Sequence, residues 1–98
     1  METIKEIFSL TDYNNLVQNI KNKVLFKFEV GSEDLKFRFQ LQECDSGYWK
    51  DNLMCSFGAN YKTSGFSHPF DYENIPSYED ICEEVNNIIR WHNKGVRS

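Results

Sequence analysis

The run from Lys23 to Glu43 restricts this chain more than any other stretch of it. Val24, Phe26, Phe28 and Val30 alternate with Lys23, Lys27 and Glu29, and Leu35, Phe37, Phe39 and Leu41 alternate with Lys36, Arg38, Gln40 and Gln42. A period of two held over two runs, joined by Gly31-Ser32-Glu33-Asp34, dictates two neighbouring antiparallel strands. Each strand has one apolar and one polar face, and the rest of the chain must cover the apolar one. With a four-residue connection, Val30 is expected opposite Leu35, Glu29 opposite Lys36 and Lys27 opposite Arg38. The last pair sets like charges against each other, at a cost of some tenths of a kcal/mol unless a neighbour neutralises it.

Other elements follow from periodicity and caps. At about 100° per residue, Ile4, Ile7 and Phe8 point away from Tyr13, Leu16, Val17 and Ile20, so one helix cannot hold both groups. A break between Ser9 and Thr11 resolves this, with Thr11 as N-cap of a helix from Asp12 to Asn22. The segment from Thr3 to Leu10 suits either a helical turn, on the Thr3 to Glu6 spacing, or a short strand. After a turn at Cys44-Asp45-Ser46-Gly47, Leu53, Cys55, Phe57, Ala59 and Tyr61 alternate as a third strand beside the second. Gly58 in its interior marks a bulge or a place of close packing. Lys62 to Pro76 has no clear period and reads as a long loop whose Phe66, Phe70 and Tyr72 fold back to seal an edge of the core. Ser77 and Asp80 then cap a helix over Tyr78–Asn93, with Ile81, Val85, Ile88 and His92 on its buried stripe and Gly95 to end it.

The expected fold is thus a single α+β domain over residues 1–98. It has two layers, a three-stranded antiparallel meander with two helices on one face, in the order α-β-β-β-α. That order is similar to the order in double-stranded-RNA-binding domains, whose last helix begins basic; this one begins acidic, so the order alone assigns no family.

Ninety-eight residues, 40% hydrophobic and 27% charged, suit a folded domain with one core, neither disordered nor embedded in a bilayer. No apolar run approaches the roughly 20 residues of a membrane span, and the N-terminus lacks the order of a signal peptide, so a cytoplasmic protein is expected. Cys44, Cys55 and Cys82 have no CxxC spacing and read as reduced thiols. No cofactor and no metal site is expected; zinc would need four ligands to converge from distant elements.

Three surfaces compete for a function. Asp71, Glu73, Glu79, Asp80, Glu83 and Glu84 fall between Lys62 and Arg90 with no lysine or arginine among them, leaving nine acids against eleven bases elsewhere in a chain of formal charge −4. On the last helix the acids spread away from the buried stripe, with Trp91 on the flank near Glu84. Such a surface suits a basic groove on a protein partner, including one that normally receives nucleic acid. The plain alternative is a solvated helix face whose early acids suit the helix dipole. The second surface is a nucleic-acid site made of Lys27, Lys36, Arg38 and the Tyr48-Trp49 pair. The third is a thiol enzyme centred on Cys44 with His68 as base. A reactive constellation is otherwise absent, so the leading expectation is a non-enzymatic inhibitor or modulator, of the immunity-protein or phage counter-defence (anti-CRISPR) kind. A free sheet edge, strand 1 or strand 3, also admits a homodimer.

Overall fold

A computed structural model describes residues 3–44 and 52–96. The elements run α1 (Ile4–Ile7), α2 (Leu10–Lys21), β1 (Phe26–Gly31), β2 (Leu35–Glu43), β3 (Leu53–Tyr61), β4 (Ser64–Phe70) and α3 (Tyr78–Val96). The class is α+β with an antiparallel sheet, but the sheet has four strands in the order β1-β2-β3-β4, and two helices precede it. The expected three strands and α-β-β-β-α order are corrected by β4 and by α1.

β4 occupies the stretch expected to be a loop. Tyr61 pairs with Ser64 across the two residues Lys62 and Thr63, with Lys62 at φ 55. Neither is a usual turn residue, which hides the hairpin. Ser64, Phe66, His68 and Phe70 do alternate with Gly65, Ser67 and Pro69, and glycine and proline mask that period. Proline is tolerated because β4 is an outer strand. Its aromatics seal the core edge: Phe66 and Phe70 are half-buried against Phe57.

The first hairpin differs from expectation by two residues. Ser32 N–H donates to the Leu35 carbonyl at 2.8 Å, tightening the connection to Glu33-Asp34. Gly31 permits this at φ 129, where a Cβ would lie 2.1 Å from the Leu35 oxygen. Glu29 then lies opposite Arg38 and Lys27 opposite Gln40. A shift of two keeps every side chain on its face and replaces the expected like-charge pair by an opposite-charge one.

Caps also moved. Ser9, not Thr11, caps α2: Asp12 N–H donates to Ser9 Oγ at 3.1 Å and Ser9 N–H to Asp12 Oδ2 at 3.2 Å. The reciprocal pair needs an acid three residues on, and Asn14 stands there for Thr11. Ser77 caps α3 as expected, its Oγ accepting from Asp80 N–H at 3.1 Å. The helix runs through Gly95 to Val96 instead of stopping at Asn93.

The core lies on one face of the sheet. Leu35, Phe37, Phe39 and Leu41 of β2 and Cys55, Phe57, Ala59 and Tyr61 of β3 are buried with Ile4, Phe8, Ile20, Ile81, Cys82 and Val85 from the helical segments. Phe8, between α1 and α2, is its aromatic hub. Its ring centroid lies 4.5 Å from Phe37, 5.8 Å from Phe28 and Phe39, and 5.6 Å from Tyr78. Two tyrosine hydroxyls lock this corner, Tyr78 donating to the Phe8 carbonyl and Tyr13 to the Pro76 carbonyl, both at 2.7 Å. Polar ends drawn this far out of water favour acceptors, and each half-buried hydroxyl finds a backbone oxygen from a distant segment. Among the described residues no helix is long and apolar enough to cross a membrane.

Candidate protein-interaction surface

Burying Ile81, Cys82 and Val85 fixes the rotation of α3, and that rotation turns Asp80, Glu83 and Glu84 outward. Beside them runs β4, placed by its register with β3: Phe57 opposite His68 and Cys55 opposite Phe70. A cleft of about 400 Å³ lies between helix and strand, walled by Phe57 and Phe70, with His68, Asn74 and Pro76, and rimmed by Asp80, Glu83 and Glu84. His68 packs its ring 5.6 Å from Phe57 and 4.9 Å from Phe66 and brings Nε2 to 3.3 Å from Glu84 Oε2. Trp91 is 71% exposed, the largest exposed apolar side chain among the described residues. It follows Glu84 by seven residues, which places it on the same flank about 10 Å along the helix.

The acids expected to form one surface are divided by the fold. Asp80, Glu83 and Glu84 converge on the cleft; Glu79 turns toward the leading segment, 3.6 Å from Lys5 Nζ. Asp71 and Glu73 belong to the turn after β4, where Glu73 N–H donates to Asp71 Oδ1 at 2.9 Å. Glu83 also meets Arg90 at 3.2 Å. These are exposed pairs, worth about 0–1 kcal/mol each, so they do not close the surface to a competing cation.

The polar sheet face holds Lys27, Lys36 and Arg38 of the nucleic-acid reading. Lys27 pairs with Glu29 at 3.2 Å and is separated from Arg38, correcting the expected juxtaposition. Lys36 and Arg38 border a depression of about 310 Å³ with Glu29, Gly31, Gly58 and Asn60. It exists because Gly58 lacks a side chain opposite Arg38. A Cβ at Gly58 would stand 2.5 Å from the Phe66 carbonyl, so β4 approaches β3 too closely for any other residue. Tyr48 and Trp49 lie outside the described residues.

Cys44 and His68 are not brought together. Glu43 pairs with Leu53 and His68 with Phe57, four residues further along β3. The separation along the strands alone is about 13 Å. Cys44 is half-buried; Cys55 and Cys82 are buried, and all three are free thiols. Burial pushes the Cys55 thiol up to about 11, with Asp71 adding to the shift, and raises Cys82 as well. Burial thus disfavours, at both positions, the thiolate that a nucleophile needs. His92 contributes to packing: its Nδ1 is 2.9 Å from Ser64 Oγ and its ring meets Tyr61 edge-on at 5.3 Å. Among the described residues no group of three or more His, Cys, Asp or Glu is arranged to hold a metal ion.

Comparison with protein-family models, curated proteins and solved structures returns no match. Function therefore rests on the surface itself. Sequence reading found Asp80, Glu83, Glu84 and Trp91 there but not Phe57, His68 and Phe70, whose part depends on β4 being a strand.

Proposed function

We propose that this chain is a non-enzymatic protein-interaction domain that engages a basic surface of a macromolecular partner through the α3–β4 flank and so inhibits or modulates that partner. The observation that supports this most is the convergence of Asp80, Glu83 and Glu84 on an aromatic-walled cleft. A lysine or arginine side chain fits that chemistry, its stem against Phe57 and Phe70 and its cation among carboxylates. Trp91 supplies the exposed aromatic that anchors such contacts, and the acids steer a basic partner toward it.

The test is retention of a protein from lysate of the native source by the wild-type chain, by the triple variant Asp80→Lys, Glu83→Lys, Glu84→Lys, and by Trp91→Ala, each with nuclease present. One protein held by the wild type, lost from the triple variant and bound at least about tenfold more weakly by Trp91→Ala is the expected result. Equal retention by the triple variant overturns the reading.

A second reading draws on the depression shared by Lys36, Arg38 and Asn60, whose cations suit the phosphates of a single-stranded nucleic acid. It predicts that, without nuclease, nucleic acid is retained by the triple acid variant and lost from Lys36→Ala, Arg38→Ala.

A further inference from the structure

The two outer strands differ in what they offer a further strand. Because Ser32 donates to Leu35, alternation along the antiparallel ladder spends the backbone groups of Val30, Phe28 and Phe26 on β2. It turns those of Gly31, Glu29 and Lys27 outward, to a side where no strand lies among the described residues. Carrying the same alternation across β3 to the other edge turns Gly65, Ser67 and Pro69 outward on β4. Pro69 has no N–H to give. β1 therefore has a donor at every outward position and β4 does not.

We propose that β1 pairs antiparallel with β1 of a second copy of this chain, about a two-fold axis at Phe28, to make one continuous sheet. Charge selects both the partner and the register. Lys27 and Glu29 stand two apart on one face, 3.2 Å from each other. Under a two-fold axis at Phe28, Lys27 faces Glu29 of the second copy and Glu29 faces its Lys27. Slipping the register by one pleat in either direction sets Lys27 on Lys27 or Glu29 on Glu29, which is unfavourable. One charge of each sign thus blunts the edge toward an arbitrary strand while leaving it complementary to itself. On the opposite face Phe26, Phe28 and Val30 are only half-buried by their own core. The pairing brings Phe28 against Phe28 of the second copy and each Phe26 against Val30. Val24 and Leu25, 50% and 47% exposed, enter β1 at the ends of the new seam. Because β4 is the far edge, the α3–β4 flank stays open in the pair.

Sedimentation from about 5 µM to about 500 µM tests this, since a seam of one strand makes a weak, concentration-dependent dimer. Wild-type chain is expected to pass from monomer to dimer over that range. Lys27→Glu and Glu29→Lys are each expected to raise the dissociation constant at least about tenfold, because each sets like charges opposite on both sides of the two-fold axis. An equimolar mixture of the two variants is expected to dimerise again as a heterodimer, and so is the double variant on its own. Glu29→Pro removes an outward N–H that the chain's own sheet does not use, and is expected to be monomeric with an unchanged circular dichroism spectrum. A wild-type chain that stays monomeric throughout overturns the proposal, as does a dimer indifferent to the single variants. Single variants that dissociate but do not recombine when mixed overturn the register. Should one single variant fail to fold, the double variant decides.

Discussion

β1 and β4 are the outer strands of one sheet, yet they are held in opposite ways. β4 is fastened to α3 at two points, by Ser64 to His92 at 2.9 Å and by His68 to Glu84 at 3.3 Å, and its aromatics pack on Phe57. Among the described residues β1 shows no comparable side-chain tie to a helix; it rests on its hairpin with β2 and on Phe8 beneath Phe28. The difference follows from how α3 lies over β3 and β4. A helix that packs on one side of a twisted sheet protects that side, and the other must be protected by its own side chains or by pairing. The protected edge became the wall of a cleft, and the unprotected one is left with its backbone donors facing out.

The largest expected effect breaks the support of β1. Phe8→Ala removes a fully buried ring from the middle of five aromatic neighbours and is expected to cost about 3–5 kcal/mol. The denaturant midpoint measures it, and hydrogen exchange should show β1 amides losing protection before those of β4.

The converse change acts on the protected side. Gly58→Ala places a methyl 2.5 Å from the Phe66 backbone oxygen, and the strands must part to admit it. A loss of about 1–3 kcal/mol is expected, with exchange now fastest in β4 while the β1–β2 hairpin keeps its protection. Loss of protection in β1 instead would show that the two edges are not held independently.

The smallest effect sharpens the same contrast by pH. Burial lifts Cys55, opposite Phe70 of β4, from 9.0 to about 11, and lifts Tyr78, which holds the Phe8 carbonyl, from 10.0 to about 12. Both groups release their protons more readily when unfolded. Their contribution to stability is whole below pH 9 and is lost as the pH rises toward 12. For Cys55 the loss is about 1 kcal/mol at pH 10. Urea unfolding at pH 8 and at pH 10 checks it, and Cys55→Ala should reduce the difference between the two by about that amount.

What was legible without a structure was what local pattern carries. The β1–β2 and β3 alternations from Phe26 onward, the break near Ser9 and the Ser77 cap each depend on residues near one another in the chain and are found, whereas Lys23 and Val24, expected in the first strand, precede β1 and Val24 is 50% exposed. β4 has the same alternation, but Gly65 and Pro69 lower strand propensity, and Lys62-Thr63 carries no turn signature. Edge strands accept such residues because one side of their backbone is unpaired. The signal for an outer strand is therefore weakest where the chain says least. The site suffered in proportion. Glu84 and Trp91 were visible as a helix flank, whereas the aromatic wall opposite them depended on a strand that local pattern disguised.

The sequence by itself determined which face of each element is apolar, because a period of 2 or 3.6 is a property of neighbouring residues and holds before any tertiary contact forms. Only the tertiary structure decided which elements share an edge, and through that the hairpin register, the division of the acids between cleft and turn, and the distance between Cys44 and His68. Those depend on closing backbone hydrogen bonds such as Ser32 to Leu35, and on packing residues from opposite ends of the chain, such as Phe8 against Tyr78. Energies of that kind are non-local, and a two-residue slip in register costs the sequence pattern nothing while it reassigns every charge on the sheet.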